Sequence, residues 1–303
     1  MLVGLCVLVS PGCVAPRAHG HQREELLWPQ GAPNARHNRR RDRPRLYYFT
    51  PDRTRRTRAA VIIAGGGSYA HQGGLRVEAG PTARWLASHG ITAVVLRHRV
   101  GRGGDYDHAD FLADGARAVQ HVRAQASTLD IDPNQIGFIG FSAGGHLAAS
   151  LATRCSAPDT TIDPEVALPD DPQGISCRPD FAAAIYPVVT LDPPVAHERS
   201  VHNLVGPDGS RDALRKVLSV ETLVTPTTSP LFVVHSSQDK KVDPRNSDLL
   251  VEALRAHAVE VEYQRPDDGG HGVGLAQQRG MPQMGRWPDA FLAWMRRIGR
   301  LEP

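Results

Sequence analysis

Lysine is almost missing: of 35 basic residues only Lys216, Lys240 and Lys241 are lysine, so nearly all the positive charge is arginine. We read this as lineage or codon bias before function. Excess charge of either sign is also missing, since 32 acidic residues leave a net charge of +3 over 303 residues. That balance does not give the basic footprint of a nucleic-acid binder, and no nucleic-acid partner is expected. Cysteine is sparse, with four residues and no C-x-x-C pair, which argues against a zinc ribbon or a thioredoxin-type motif. The apolar stretch Leu2 to Val9 falls far short of the roughly 20 residues a bilayer-spanning helix needs. Neither G-x-G-x-x-G nor G-x-x-x-x-G-K-[ST] is complete, which weakens a phosphate-binding reading. What is present, 41% hydrophobic and 22% charged residues with 29 Gly and 24 Pro, is ordinary globular composition and excludes disorder, coiled coil and collagen. The length suits one large α/β domain.

The Leu2 to Val9 run suits the h-region of a signal peptide, although no Lys or Arg precedes it. Ser10-Pro11-Gly12-Cys13 matches a lipoprotein cleavage box at the Gly-Cys only. Residues 1–20 are therefore expected to be a signal peptide or lipoprotein leader, with a secreted or periplasmic destination and membrane anchoring only through a lipidated Cys13. A buried N-terminal strand or a misplaced start codon is the alternative. In an exported chain Cys155 and Cys177, which bracket a loop-like segment, could pair as a disulfide. Residues 21–58 form a polar, Arg-rich extension, read as solvated surface, with Leu46 to Phe49 as an edge strand.

Residues 59–300 read as the main domain. Apolar runs at Ala59–Ala64, Ile91–Leu96, Gln135–Phe141, Phe181–Tyr186, Leu231–His235 and Val259–Tyr263 are expected as strands. Amphipathic stretches at Pro81–Ser88, Ala109–Ala126, Ala143–Thr153, Arg245–Ala256 and Trp287–Ile298 are expected as helices. Strands alternating with helices mean crossover connections, hence a mostly parallel, twisted sheet with helices on both faces.

Gly140-Phe141-Ser142-Ala143-Gly144 stands directly after one of these strands and before a helix. A nucleophile on so tight a turn needs small neighbours, and the helix N-terminus behind it favours developing negative charge. A serine hydroxyl is a weak nucleophile and requires a histidine base oriented by a carboxylate. Downstream, Asp239 follows the strand ending at His235, and His271 sits between glycines after the next strand. Ser142, Asp239 and His271 are the catalytic candidates. Asp243 is a rival acid, but Asp243-Pro244 reads as a helix start. Asp267 and Asp268 are expected to shape the histidine loop, and His98, His146 and His235 to serve packing or polar networks. An oxyanion also needs preorganised N–H donors, which we assign to Gly66 and Gly67 in Ala64-Gly65-Gly66-Gly67-Ser68-Tyr69, joined by the Ala143 amide.

These residues carry a resemblance to the acetyl-xylan-esterase-like, or BD-FAE-like, branch of the α/β-hydrolase superfamily. Further matching stretches are Leu27-Trp28-Pro29, Gly90-Ile91-Thr92-Ala93, Arg97-His98-Arg99, Ile131-Asp132-Pro133, Arg178-Pro179-Asp180-Phe181, Tyr186-Pro187 and Asn246-Ser247, so the likeness covers about residues 26 to 297. The resemblance implies the α/β-hydrolase fold and a secreted or periplasmic carboxylesterase without metal or organic cofactor. Its partner would be a small ester or an acetylated carbohydrate such as xylan. It also implies Ser142 as nucleophile, Asp239 as acid and His271 as base. Three departures stand out: Ser68 where relatives carry an aromatic, with Tyr69 one place later, Val273 where they carry Phe, and a slightly long segment between Gly67 and Glu78. Competing readings are a peptidase or lipase on the same scaffold and a non-catalytic carbohydrate-binding homologue. The segment Arg154 to Asp180 is too polar for a lipase lid, and binding alone requires no triad. Trp28, Tyr69, Trp85 and Tyr186 could stack on sugar but read equally well as core or surface packing, and Trp85, on a helix, reads as core.

Overall fold

Ala60-Val61-Ile62-Ile63-Ala64 has no polar side chain for either face, so as a strand it must be covered on both sides. A computed structural model, which describes residues 22–302 apart from 102–103, 157–173, 207–211 and 278, covers it in that way. Among the described residues, strands β1 (Arg23–Leu26), β2 (Arg45–Phe49), β3 (Ala60–Ala64), β4 (Thr92–Arg97), β5 (Ile136–Phe141), β6 (Phe181–Ile185), β7 (Leu231–Val234) and β8 (Val261–Gln264) form one sheet. Their order is β1-β2-β4-β3-β5-β6-β7-β8. The β1–β2 and β2–β4 pairs are antiparallel and every later pair is parallel.

The helices described are α1 (Gly74–Val77), α2 (Ala79–Ser88), α3 (His108–Ala124), α4 (Ala126–Leu129), α5 (Ala143–Arg154), α6 (Glu198–Val205), α7 (Asp212–Leu218), α8 (Arg245–Ala256) and α9 (Trp287–Arg297). Ala60, Ile62 and Ala64 share a core with Phe111 and Ala116 of α3 and Leu147 and Leu151 of α5. Val61 and Ile63 point to the opposite core, with Leu86 of α2 and Trp287, Phe291 and Met295 of α9. On the first side, Leu250, Val251 and Leu254 of α8 pack against Leu231 and Val233. Each fully buried Val, Ile or Leu side chain stabilises by about 1.5–3 kcal/mol, so the doubly covered centre of the sheet is the rigid platform beneath the loops.

Two expectations change. Leu46 to Phe49 is not an edge strand, because β1 pairs with β2 along Arg23–Leu26 and occupies the edge instead. Residues 21–58 therefore include two strands of the sheet rather than surface alone. The reason β1 is hard to see is that it is half-buried and charged, held by Arg45 to Glu24 at 2.6 Å and Tyr48 to Glu25 at 3.0 Å. Cys155 and Cys177 are joined by a disulfide, with Cα atoms 5.7 Å apart. The leader, Cys13 and residues 157–173 of the polar segment lie outside the described residues. No helix of the described residues is long and apolar enough to cross a membrane.

Candidate active site

Parallel strands deliver their C-terminal ends to one edge of the sheet, where ligand crevices form in open α/β folds. At that edge β5 runs straight into α5 through Ser142. The turn is tight: a Cβ at Gly140 would lie 1.8 Å from the Gly144 carbonyl oxygen. Ser142 itself has φ 54° and ψ −117°, a conformation that costs a non-glycine residue energy and persists only when its surroundings hold it. They do so through the Ser142 N–H donated to Ile185 (2.9 Å) and through His146 and Val188 N–H groups donated to the Ser142 carbonyl (3.1 and 3.2 Å).

Ser142 Oγ lies 2.8 Å from His271 Nε2, and His271 Nδ1 lies 2.6 Å from Asp239 Oδ2. The three residues expected from the sequence thus form one hydrogen-bonded chain. The other Asp239 oxygen accepts the N–H groups of Lys241 (2.8 Å) and Val242 (3.1 Å). Burial acts to raise the Asp239 carboxyl, but hydrogen bonds from His235 and His271, the His271 charge and the Lys241 amide outweigh it and hold it well below the usual carboxylate range. Asp243 is turned aside: it accepts from the Arg245 backbone N–H at 2.9 Å and pairs with the Arg245 guanidinium at 2.6 Å. Asp268 accepts from the Gln283 and Met284 N–H groups (2.8 and 2.7 Å), which pins the loop that carries His271.

The glycine loop after β3 divides its two candidates. Gly66 N–H donates to Glu78 Oε2 at 2.7 Å, so this amide is already engaged and is not a free oxyanion donor. Gly67 differs. At φ 140°, where a Cβ would sit 1.8 Å from the His71 carbonyl oxygen, it must be glycine. No acceptor among the described residues takes the Gly67 or Ala143 N–H. His146 and His98 are network residues: His146 contacts Tyr69 Oη (3.0 Å) and the Leu218 carbonyl (2.9 Å), and burial depresses it to about 4.

Sequence reasoning missed Glu78 and the role of Tyr186, whereas His235 falls in the polar network expected of it. Glu78, at the start of α2 and only 6% exposed, receives Gly66 N–H on one oxygen and Tyr186 Oη on the other (2.9 Å). Tyr186 Oη in turn accepts Gly274 N–H at 3.1 Å, and its ring lies 4.9 Å from the His271 ring. Glu78 therefore ties the glycine loop to the histidine loop. His235 lies 3.1 Å from the same Asp239 oxygen that meets His271, and its other nitrogen lies 2.8 Å from Ser247 Oγ. Glu78 carried no sequence signal, because its partners are 12 and 108 residues away. The Arg199 and Lys241 side chains were missed as well. Both line the same cavity of about 350 Å³ as Ser142 and His271.

None of the four aromatics considered for sugar stacking lines that cavity. Trp28 donates to Asp114 at 2.8 Å, Tyr69 stacks on Phe111, Trp85 packs beside Trp287 and Tyr186 holds Glu78. With Tyr69 turned into the core, Ser68 takes the cavity wall.

A mostly parallel sheet covered on both faces, carrying a serine elbow with Asp and His on later loops, defines an α/β-hydrolase. Residues 46–254 match the BD-FAE family model, and the chain belongs to that family. Among solved structures it is similar to an acetyl ester-xyloside bifunctional hydrolase from Caldicellulosiruptor lactoaceticus, with 34% identity and a TM-score of 0.77 over 92% of this chain and 97% of that one. Among curated proteins it is 28% identical over 225 residues to an acetylxylan esterase of Xylanibacter ruminicola, covering 72% of this chain and 41% of the relative. It is 30% identical over 237 residues to endo-1,4-beta-xylanase B of Butyrivibrio fibrisolvens, covering 77% and 35% respectively. The chain thus spans less than half the length of these curated relatives.

Proposed function

We propose that the protein is a serine carboxylesterase that hydrolyses short-chain esters, chiefly acetyl esters of carbohydrate such as acetylated xylan. The observation that carries this reading is the Ser142–His271–Asp239 chain, at 2.8 and 2.6 Å, opening onto a cavity of about 350 Å³ beside two unengaged backbone N–H groups. In the reaction, His271 Nε2 takes the Ser142 proton as Oγ attacks the ester carbonyl, and Asp239 stabilises the imidazolium. The Gly67 and Ala143 amides receive the oxyanion. His271 then protonates the departing alcohol, leaving an acyl-serine. Water, deprotonated by His271, releases the carboxylic acid and restores Ser142. The names of the relatives support acetylated carbohydrate as substrate. The disulfide supports a secreted or periplasmic location, because disulfides persist in oxidising compartments.

Hydrolysis of p-nitrophenyl acetate, butyrate and octanoate tests the reading. Turnover fastest for acetate and falling with chain length is expected. Failure to hydrolyse any of the three, or a preference for octanoate, overturns it.

Glu78 holds the Gly66 peptide and so the amide of its neighbour Gly67. Glu78→Ala is expected to lower kcat for p-nitrophenyl acetate by about 10²- to 10³-fold, the range for losing one oxyanion donor. Glu78→Gln keeps an oxygen to accept Gly66 N–H and is expected to recover most of that rate. A Glu78→Ala effect confined to KM would refute the positioning role.

A further inference from the structure

The cavity over Ser142 is unusual in its charge. Arg199, near the start of α6, and Lys241, after β7, both line it with exposed side chains, and His71 and His197 line it too. Among the described residues neither Arg199 nor Lys241 has a carboxylate partner.

The nearby acidic groups are committed elsewhere. Glu198 faces Arg215 at 3.6 Å. Asp243 pairs with Arg245. Asp239 is closed off by His235, His271 and two backbone amides. The one carboxylate lining the cavity, Glu78, is buried and accepts from Gly66 N–H and Tyr186 Oη. Arg199 and Lys241 thus place two positive charges on the wall against the single Glu78 carboxylate, which is turned to Gly66 and Tyr186.

Unpaired cations at the mouth of a polar cavity attract an anion and hold it by charge-assisted hydrogen bonds. Burial first, then the charges of His271 and Arg199, push the half-buried His197 below its ordinary value, against the opposing pull of Asp239 and Glu198. The geometry points to an anion subsite formed by Arg199 and Lys241 beside Ser142, which selects acetyl esters whose alcohol side bears a carboxylate: O-acetylated uronic acids, or acetylated oligosaccharides carrying a uronate. Neither side chain takes part in the Ser142–His271–Asp239 hydrogen bonds, so the subsite concerns which ester is held and not how it is cleaved. The inference rests on the esterase reading above.

The test compares three probes on the full chain: an O-acetylated methyl glucuronoside, its neutral uronamide and p-nitrophenyl acetate. With wild-type protein at low salt, kcat/KM for the acid is expected to exceed that for the amide by about threefold to tenfold, mostly through KM, because exposed ion pairs are individually weak. The ratio should shrink in 0.5 M NaCl as the charges are screened. In the double variant Arg199→Gln, Lys241→Gln the ratio is expected to fall to about one. Gln removes the charge and leaves a shorter but still polar side chain in the wall, and the Lys241 backbone N–H to Asp239 is retained. The anion subsite alone is overturned if p-nitrophenyl acetate is hydrolysed but the acid and amide react equally, or if the preference survives the double substitution. If p-nitrophenyl acetate is not hydrolysed, the esterase reading fails and the subsite fails with it. Should the acid be favoured only when the carboxylate sits on the acyl side, as in a p-nitrophenyl hemisuccinate, the assignment to the alcohol side is overturned.

Discussion

Ser142→Ala is expected to lower kcat for p-nitrophenyl acetate on the order of 10⁶-fold, the scale seen when a triad serine is removed from a hydrolase. The covalent route depends on Oγ, and among the described residues no other hydroxyl or thiol is hydrogen-bonded to His271 Nε2 to replace it. Residual turnover would come from the amides and from binding. The fold should survive. Ser142 reaches the rest of the protein mainly through its backbone, which hydrogen-bonds Ile185, His146 and Val188. Labelling by a fluorophosphonate should vanish in the same variant, while the thermal midpoint moves little. Retention of labelling, or of activity within tenfold, would put the nucleophile elsewhere.

Asp239→Asn should reduce kcat by about 10⁴-fold with the geometry preserved. The size follows from which atom must face which partner. Lys241 and Val242 both donate N–H to one Asp239 oxygen, so an asparagine must keep its carbonyl there. Its NH₂ group is then forced toward His271 and His235, where the other carboxylate oxygen now accepts. A donor opposite His271 Nδ1 makes that nitrogen the acceptor and leaves the proton on Nε2, the nitrogen that must receive the serine proton. KM should change little, since Asp239 lies behind His271 and not in the cavity wall. Asp243→Asn is the control: its carboxylate pairs with Arg245 at the surface, and kinetics should be close to wild type. A larger loss from Asp243→Asn than from Asp239→Asn would reverse the assignment.

The triad residues could be read because each sits in a local pattern with a physical reason: a glycine-flanked elbow, a short loop after a strand, a histidine between glycines. Core strands could be read because burial on both faces demands unbroken apolar runs. What escaped depends on approach between distant segments. Gly66 and Gly67 look alike in sequence, and only the arrival of Glu78 separates the engaged amide from the free one. Tyr69 and Tyr186 offered themselves as sugar platforms, yet their hydroxyls are held inside by His146 and Glu78. β1 was hidden because Arg23, Glu24 and Glu25 have no apolar alternation to announce a strand. Its partners on β2 and α3 supply the polar contacts that hold it, with Glu25 meeting His121 at 3.1 Å.

A strand with one side unpaired is a template on which another polypeptide can add, and long apolar edges lead to aggregation. Here both outermost strands are four residues long. β1 carries Arg23, Glu24 and Glu25, and on β8 Glu262 is held by Arg297 at 2.8 Å, with Glu260 just before the strand held at the same distance. A second copy approaching either border would have to match or displace these charges for only a short ladder of hydrogen bonds. Growth of the sheet from molecule to molecule is therefore opposed at both borders, which favours a protein that can be concentrated without stacking on itself.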